Sequence, residues 1–472
     1  ENMWHDYVNA LSVEQVLHLL SENRTRARIA AGTTDLILEL ERGIRPGTDF
    51  LIDITRIPGL DLITMDEDGT IHIGPMVTHN DCVRSRIIRE YAFPLAQACW
   101  QVGSPQIRNR GTVAGNLITG SPANDTIPPL MALGASVRLI SNRGERVAPL
   151  DQFYTGVRKT VMEPDEFMSD ILFPGMSRKQ RGVFSKYALR RAQAISVVDV
   201  AVVLTFENVK GQSAITSAAV TLGAVAPRII HSNNAETWLT GKCLDAGVIE
   251  QAALLAAEDA MPISDLRSSD QYRKRIVNIT IQRALKAIAE RDEKTGFPED
   301  PAYLMGAEVE QPKPVEWKSG QPIRINLNGQ VTEFTAGEHK TLLRLLREEG
   351  LLIGVKEGCA EGECGACTVF LDGKAVMACL VPAPRAHGAE VVTIEGVSAS
   401  KTNPVQNAFV EHGAVQCGYC TPGFIMSAVK LLEEKPLPTR EQIKQAVTGN
   451  LCRCTGYYKI VDAIEAAAKK GG

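Results

Sequence analysis

The chain has 472 residues, of which 44% are hydrophobic and 22% are charged, so it can form about three or four domains of ordinary globular composition. Its formal net charge of −4 gives no electrostatic case for binding nucleic acid or an anionic membrane. No segment approaches the roughly 18 apolar residues that a membrane-spanning helix requires.

The first forty residues predict a helix, a strand, a polar turn and a second helix. Residues 12–15 have the pattern of a capping box, and the apolar run 27–31 predicts a strand. The turn Gly32-Thr33-Thr34-Asp35 follows, and a helical pattern covers residues 36–42. A strand, polar turn and helix in this order can offer free amides to a phosphate group, but for this segment alone an ordinary connecting turn is the better explanation. The chain has no G-x-G-x-x-G motif, which disfavours a Rossmann dinucleotide site.

A second loop of small residues lies between 111 and 125. Residues 51–80 alternate in polarity and predict short strands, and residues 78–81 predict a capped helix start. Residues 111–116 then place small side chains beside apolar ones, which suits close approach of the backbone to a flat or phosphorylated ligand. A tightly packed turn is the alternative interpretation.

Residues 197–293 predict a small α+β region without evident chemistry. Residues 197–206 and 214–225 predict strands, and residues 249–260 and 272–290 predict helices. Five prolines and no periodicity around residues 294–322 then predict an interdomain linker.

Two predicted hairpins flank a helix and a cysteine loop in the next region. The first hairpin turns at Asn328-Gly329, residues 342–349 predict a short helix, and residues 368–380 predict the second hairpin. The first cysteine quartet lies here and consists of Cys359, Cys364, Cys367 and Cys379. Hairpin, helix, cysteine loop and hairpin are expected of a plant-ferredoxin-like β-grasp domain.

The first quartet has the C-x4-C-x2-C…C spacing of a plant-type 2Fe–2S site, and its glycines let backbone amides approach the sulfurs. Zinc is the first alternative, but it favours paired C-x2-C knuckles and only one such pair is present. Disulfides are the second, but no signal peptide is visible, and we therefore expect a reducing, cytoplasmic environment.

Four helices are predicted after residue 398, and the second quartet lies at the starts of two of them. It consists of Cys417, Cys420, Cys452 and Cys454. Helix N-termini that point at one site favour an anionic cluster. A C-x2-C pair with a distant C-x-C pair could also bind zinc, so this quartet is less diagnostic by itself.

The motifs together resemble the xanthine dehydrogenase family of molybdenum hydroxylases. Residues 32–35 and 112–116 resemble the family's two FAD loops, and the strings around Cys417–Cys420 and Cys452–Cys454 resemble its helical 2Fe–2S domain. The family usually has Gly-Gly or Gly-Asn in the first FAD loop and Gly-Gly-Asn in the second, where this chain has Thr33 and Ala114. Both residues are small, so binding of the pyrophosphate by backbone amides is expected to survive.

The resemblance implies which residues bind the cofactors. It places Asp125 on the ribose and adenine side of FAD, Lys186 near the isoalloxazine and Gln416 near the pterin. The implied cofactor-binding residues are Gly32, Thr33, Thr34, Asp35, Thr112, Ala114, Gly115, Asn116, Asp125, Lys186 and Gln416. The implied ligands of the two 2Fe–2S clusters are Cys359, Cys364, Cys367, Cys379, Cys417, Cys420, Cys452 and Cys454. No catalytic residue is expected on this chain.

The resemblance also implies a fold and a function. It predicts a multidomain α+β protein with a flavin-binding α/β domain (1–176), a small α+β subdomain (177–293), a linker (294–321), a β-grasp 2Fe–2S domain (322–397) and a four-helix-bundle 2Fe–2S domain (398–472). In this family a molybdopterin centre on a separate large subunit oxidises the substrate. Electrons then pass through the helical-domain cluster, the ferredoxin-type cluster and FAD to NAD+ or another acceptor.

We therefore expect an oxidoreductase subunit that binds a large molybdopterin subunit and forms a dimer of heterodimers. A free-standing NADH-dependent flavin and iron–sulfur reductase is the alternative, and a redox sensor is a weaker one. The substrate and the electron acceptor cannot be identified from these residues.

Overall fold

The computed structural model describes residues 3–209, 211–307, 312–398 and 403–471. The chain forms two compact units. The first comprises Glu1–Pro58, Gly103–Gly111 and Glu299–Gly472, and the second comprises Gly59–Val102 and Thr112–Pro298. Residues 308–311 of the predicted linker and residues 399–402 at the predicted domain boundary lie outside the described residues.

The first unit contains a four-stranded sheet built mainly from the N-terminus. Its strands, in spatial order, are Trp317–Lys318, Asp6–Asn9, Phe50–Asp53 and Ala27–Ala30. The last three strands run parallel, as expected for strands that alternate with helices. The intervening helices are Val13–Asn23 and Leu36–Glu41.

The ferredoxin-like part of this unit is a five-stranded sheet. Its spatial order is Gln330–Phe334, Ile323–Leu327, Glu390–Val392, Thr368–Leu371 and Lys374–Met377. The helix predicted at 342–349 is an α-helical turn, Leu342–Arg344, continued by a π-helical turn, Leu345–Glu349. The second predicted hairpin ends at Met377 rather than residue 380, and Cys379 lies in the 3-10 turn Ala378–Leu380.

The helical part of the unit contains the four predicted helices, two of which begin with capping boxes. Asn403 and Thr439 both form capping boxes, in which each side chain accepts a backbone N–H and the side chain three residues later accepts the cap's own N–H. The four helices are Pro404–Glu411, Thr421–Glu434, Arg440–Ala446 and Tyr458–Gly471. The unit's shorter helical segments are Arg24–Arg26, Pro105–Arg108, Ala383–Ala386 and Ile394–Val397.

The segment predicted as a linker is partly packed into this unit. Trp317 is fully buried and its strand pairs antiparallel with Asp6–Asn9. Ala302 and Leu304 are also fully buried, in the core of the helical part. The prolines concealed this packing because they remove the periodicity by which strands and helices are recognised.

One hydrophobic core joins the N-terminal sheet to the ferredoxin-like sheet. Trp4, Tyr7 and Leu51 of the N-terminal sheet region belong to the same buried cluster as Val369 and Val391. The flavin-side strands and the ferredoxin-like fold are therefore one packed body within the first unit.

The second unit contains two larger antiparallel sheets and a helical layer. The five-stranded sheet has the order Ile63–Met65, Thr70–Ile73, Phe167–Pro174, Ser136–Ser141 and Gly144–Pro149. The four-stranded sheet runs in chain order through Gln180–Tyr187, Val198–Val209, Gln212–Gly223 and Ile230–His231, and a separate pair joins Tyr154–Gly156 to Lys159–Thr160. The helices are His79–Arg84, Arg86–Tyr91, Phe93–Gln101, Val113–Thr119, Ile127–Ala132, Leu150–Phe153, Asn233–Leu239, Ala246–Asp259 and Asp270–Glu290. The core between the four-stranded sheet and the last two helices is rich in Val, Ala and Ile.

Candidate cofactor sites

The first cysteine quartet is assembled by a loop and a turn. Cys359 and Cys364 lie in the loop, Cys367 lies at its end before the strand Thr368–Leu371, and Cys379 follows the next strand. Cys359 and Cys364 hydrogen-bond to each other, as do Cys367 and Cys379, and Cys359 interacts electrostatically with the second pair. The structure therefore brings all four side chains of this quartet together, as two pairs.

Backbone amides of the loop point at one sulfur. The N–H groups of Glu361, Glu363 and Cys364 lie 3.3, 3.2 and 3.3 Å from Cys359 Sγ. The bond from Cys364 and these amides lower the pKa of Cys359 to about 5, although its partial burial opposes this. A loop that stabilises thiolate in this way fits the donor set that a 2Fe–2S cluster needs, namely two thiolates for each iron and N–H groups directed at sulfur.

The second quartet lies beside the start of the helix Thr421–Glu434. Cys420 is the N-cap residue of this helix and hydrogen-bonds to Cys452, while Cys417 hydrogen-bonds to Cys454. The Thr455 hydroxyl donates to Cys452 Sγ at 3.1 Å. The pairing again fits two thiolates for each iron.

The two quartets differ in exposure. Cys367 and Cys379 of the first quartet are 3% exposed, whereas Cys417 and Cys454 of the second quartet are exposed at the surface. Gln416 is exposed beside Cys417. The second quartet is therefore the one that a separate protein could approach within the first unit.

The first predicted flavin loop connects the strand Ala27–Ala30 to the helix Leu36–Glu41. Gly32 packs against the backbone of Arg110, where a Cβ atom would lie 2.2 Å from the carbonyl oxygen. Arg110 in turn donates from Nε and Nη2 to the carbonyl oxygens of Gly32 and Ala31, at 3.3 and 3.2 Å. Thr34 is half-buried and Asp35 is exposed, so the far side of this loop is accessible.

Thr33 links this loop to the first quartet. Its backbone has a φ of 61°, and its hydroxyl donates to the Leu380 carbonyl oxygen at 2.7 Å. Leu380 follows Cys379 directly in the chain. The flavin loop is therefore hydrogen-bonded to the residue next to a cysteine of the first quartet.

The second predicted flavin loop belongs to the second unit and starts the helix Val113–Thr119. Thr112 caps this helix by accepting a hydrogen bond from the Gly115 N–H at 2.9 Å. Ala114 is buried, and Gly115 and Asn116 are half-buried. The Asn116 side chain accepts from the Thr126 N–H at 3.3 Å and thereby fixes the following turn. Helix N-terminal amides with small neighbours fit a phosphate group.

Asp125 and Lys186 form an ion pair in the second unit, with Lys186 Nζ 2.6 Å from Asp125 Oδ2 and both side chains buried. The Ser196 hydroxyl donates to Asp125 Oδ1 at 2.6 Å. Asp199 lies opposite Lys186 on the neighbouring strand, and burial together with the Asp125 charge raises its pKa well above the usual range. Neither Ser196 nor Asp199 was predicted as a site residue, because no local pattern marks either one; the pairing of Lys186 with Asp199 follows from the register of their two strands.

Among the residues that the structure describes, no helix is long and apolar enough to cross a membrane. In the same part of the chain, no group of three or more His, Cys, Asp or Glu side chains is arranged to hold a single metal ion.

Four family models match successive parts of the chain. The FAD binding domain in molybdopterin dehydrogenase matches residues 3–176, and the CO dehydrogenase flavoprotein C-terminal domain matches residues 184–288. The 2Fe-2S iron-sulfur cluster binding domain matches residues 325–390, and the [2Fe-2S] binding domain matches residues 393–465. The multidomain fold and the FAD and 2Fe–2S cofactors predicted from the sequence are thereby confirmed.

Relatives of known function match parts of the chain. The nicotinate dehydrogenase small FeS subunit of Eubacterium barkeri is 50% identical over 149 residues, which are 31% of this chain and 95% of that protein. The xanthine dehydrogenase iron-sulfur-binding subunit of Escherichia coli O157:H7 is 48% identical over 146 residues, which are 30% of this chain and 91% of that protein. A chain of carbon monoxide dehydrogenase from Hydrogenophaga pseudoflava superposes with a TM-score of 0.58 at 29% identity, covering 62% of this chain and 99% of that one. This chain belongs to the xanthine dehydrogenase family of molybdenum hydroxylases, as an oxidoreductase subunit that carries the FAD-binding domain and both 2Fe–2S domains in one polypeptide.

Proposed function

We propose that this chain is the electron-transfer subunit of a molybdenum hydroxylase. It would receive electrons from a partner molybdopterin subunit and deliver them, by way of two 2Fe–2S clusters and FAD, to NAD+ or another acceptor. The observation that carries this proposal is a pair of hydrogen bonds in the first unit, one between the two quartets' loops and one between the first quartet's turn and the first flavin loop. The Leu451 N–H, next to Cys452, donates to the Cys364 carbonyl oxygen at 3.0 Å, and Thr33 donates to the Leu380 carbonyl oxygen beside Cys379.

The order of the two quartets and the first flavin loop suits stepwise electron transfer. The two bonds connect the second quartet, which is the more exposed, to the first quartet, which is the more buried, and the first quartet to the first flavin loop. When bound, 2Fe–2S clusters carry single electrons, and a flavin collects two for transfer as a hydride. The chain's own residues supply the thiolates, the N–H groups directed at them and the fixed spacing between the two quartets.

The surface around the second quartet supports docking of a partner there. Val415, Tyr419, Leu451 and Tyr457 are apolar or aromatic residues of this region that are 40%, 48%, 44% and 38% exposed. Exposed apolar and aromatic residues beside a functional group are typical of protein interaction sites. We propose that this surface binds the large molybdopterin subunit, with Gln416 near the pterin.

The proposal assigns the sites residue by residue. The eight quartet cysteines would ligate the two clusters, and residues 32–35 and 112–116 would bind FAD through backbone amides. Because Lys186 and Asp125 are in direct contact, the pair would lie at one part of FAD, and the two side chains would not serve the adenine side and the isoalloxazine separately as the resemblance implies. The buried ion pair would hold the lysine in one orientation. The complex would be a cytoplasmic dimer of heterodimers, and the domain boundaries given above remain predictions.

Purification of the native complex tests this proposal. We expect molybdenum and one large partner subunit, together with four irons and one FAD for each copy of this chain, and reduction of the chain by substrate only when the partner is present. A chain that purifies with iron and FAD alone, and that turns over NADH with a dye, would instead support the free-standing reductase. Zinc in place of iron would contradict both.

A further inference from the structure

The segment Gly103–Gly111 belongs by sequence to the FAD-binding family match, but it lies in the first unit with the iron–sulfur domains. Ser104 and Gln106 have no exposed surface. The segment's other polar side chains also reach into this unit, since Asn109 Nδ2 donates to the Leu304 carbonyl oxygen at 3.2 Å and to the Ala375 carbonyl oxygen at 3.0 Å. A piece of the flavin-binding domain is thus embedded among the cluster-binding loops.

Gln106 is the residue of this segment that reaches both iron–sulfur domains. Its Nε2 lies 3.4 Å from Thr368 Oγ1 in the ferredoxin-like domain. The same nitrogen lies 3.1 Å from Ser427 Oγ and 3.3 Å from Asn450 Oδ1 in the helical domain. One amide group therefore contacts side chains on both sides of the boundary between the two domains.

The contacted side chains continue the network to the cysteine loops. Thr368 Oγ1 donates to the Gly365 carbonyl oxygen at 2.7 Å, and Asn450 Nδ2 donates to the same oxygen at 3.3 Å. Ser427 Oγ donates to Asn450 Oδ1 at 2.7 Å. Gly365 lies between Cys364 and Cys367, and Asn450 lies two residues before Cys452. The network thus connects the loop of the first quartet to that of the second.

Packing alone does not explain a glutamine here. Burying an amide costs free energy unless its hydrogen bonds are made, and an apolar side chain of similar length would fill the space without that cost. Gln106 Nε2 has partners in both iron–sulfur domains, whereas the buried Oε1 has none among the described residues. Buried polar networks restrict the geometry of the groups that they join. The position of Gln106 is therefore suited to fixing two loops relative to each other.

We propose that Gln106 is a positioning residue for electron transfer between the two clusters. It holds the loops of the first and second quartets at one separation and orientation. The inference rests on the proposed function, because it assigns a role to the spacing of the two clusters. It adds that a residue of the flavin-binding domain sets this spacing.

The test uses the full-length holoprotein with both clusters, and compares Gln106→Met with the wild type. Methionine keeps the length and removes the amide. Gln97→Met is the matched control, since Gln97 is also a buried glutamine and bonds the Phe184 N–H and the Glu293 carbonyl oxygen within the second unit. Electron paramagnetic resonance of the fully reduced protein measures the magnetic interaction between the clusters, and rapid-freeze quenching measures electron transfer between them.

We expect Gln106→Met to change the magnetic splitting and to slow electron transfer between the clusters severalfold, because the rate of electron transfer falls steeply as the separation of the two centres increases. The control should match the wild type in both. Unchanged splitting and rate in Gln106→Met would overturn the inference. If Gln106→Met does not fold, the isosteric Thr368→Val is measured instead, because it removes a partner of the Gln106 amide. Unchanged splitting and rate in that variant would also overturn the inference. A wild-type chain with no interaction between two reduced clusters would instead contradict the proposed conduit itself, and this inference with it.

Discussion

Thr33 combines an unfavourable backbone conformation with a favourable hydrogen bond. A β-branched residue at a φ of 61° is strained, at a cost of order 1–3 kcal/mol. Its buried hydroxyl donates to the Leu380 carbonyl oxygen, and removing this donor from a buried acceptor typically costs about 1–3 kcal/mol. The loop therefore tolerates threonine where the family usually has glycine or asparagine because the side chain has a partner.

Two substitutions separate these effects. We expect Thr33→Val to lower the free energy of unfolding by roughly 1–3 kcal/mol, because it keeps the strain and loses the hydroxyl. Thr33→Gly loses the same bond but relieves the strain, so its loss should be smaller. Urea unfolding monitored by circular dichroism measures both, and a valine variant as stable as the wild type would contradict the interpretation.

The Asp125–Lys186 pair is buried, so each charge depends on the other. Lys186→Met leaves a buried carboxylate beside Asp199 and should destabilise the protein by roughly 3–5 kcal/mol. The double variant Asp125→Asn with Lys186→Met removes both charges and should recover part of that loss. A double-mutant cycle in urea gives the coupling energy, and additive losses would show that the two groups are independent.

Asp265 gives the second unit a pH dependence in acid. Burial acts to raise its pKa, but hydrogen bonds from the Arg267 N–H and from the buried Arg273 outweigh it and lower the pKa to about 2. Since the folded pKa lies below the unfolded value of about 3.9, this carboxylate stabilises the fold above pH 4, and the stabilisation is lost as the pH falls towards 2.

The effect of removing the Asp265 carboxylate should therefore depend on pH. Because Asp265 is exposed to solvent, Asp265→Asn should be less stable than the wild type at pH 7 by only about 0.5–1 kcal/mol, and the two proteins should converge as the pH approaches 2. Urea midpoints at several pH values measure the difference. A difference that stays constant from pH 7 to pH 2 would mean that the ionisation of Asp265 is not its source.

At the scale of elements, the helix Thr421–Glu434 meets the first cysteine loop through two glycines. A Cβ atom on Gly423 would lie 2.3 Å from the Gly365 carbonyl oxygen, which is backbone and cannot move aside cheaply. Alanine is better than glycine in a helix by about 1 kcal/mol, but overpacking typically costs about 1–3 kcal/mol. The close contact at Gly423 should therefore outweigh the gain in helix propensity, so that an alanine at this position destabilises the protein.

Gly423→Ala is expected to lower stability, with a urea midpoint below that of the wild type. Gly247→Ala is the matched control, because Gly247 is also helical and its nearest added contact would be Asp245 Oδ1 at 3.5 Å. The control should be neutral or stabilising. A stabilised Gly423→Ala protein would show that the two domains do not approach as closely as described.

Features that depend on neighbouring residues could be predicted from the sequence, whereas features that depend on distant partners could not. The capping box at Thr78 was predictable because it involves residues three positions apart. The box predicted at residues 12–15 forms only in part, since Ser12 accepts from the Gln15 N–H but the Gln15 side chain accepts from the Leu11 N–H instead of that of Ser12. The first cysteine quartet was predictable from its spacing, because the loop geometry of a cluster constrains the intervals between ligands, whereas the second quartet was assigned through the family resemblance. Gln106 was not predicted, since its partner Thr368 lies 262 residues away and nothing local marks a buried glutamine as part of a network. The strand at Trp317 was missed for the same reason, because its partner is at the N-terminus.

At the scale of the molecule, the first unit draws on both ends of the chain. The N-terminal sheet shares its core with the ferredoxin-like sheet, and one of its strands, Trp317–Lys318, comes from beyond the second unit in sequence. Relatives carry an iron–sulfur subunit that corresponds to only about a third of this chain. A division of the chain between residues 307 and 312 should therefore leave complementary surfaces on the two pieces.

We expect residues 1–307 and 312–472 to associate when they are produced together. Residues 1–307 alone should aggregate, since Trp4 and Tyr7 would lose apolar partners. Affinity purification of a tag on one fragment measures recovery of the other. Trp317→Ala in the second fragment should weaken recovery, whereas Glu390→Ala, which changes an exposed side chain, should not. Well-behaved separate fragments that do not bind each other would contradict a shared core.

The shared core also has a consequence for how the association of the flavin-side and iron–sulfur parts depends on protein concentration. When flavin-side and iron–sulfur pieces are separate chains, the fraction that is joined depends on their concentrations. When one polypeptide carries both, joining becomes intramolecular and is governed by an effective concentration that short connections can raise to the millimolar range. The first flavin loop and the first quartet thus stay together even in a cell that holds few copies of the protein.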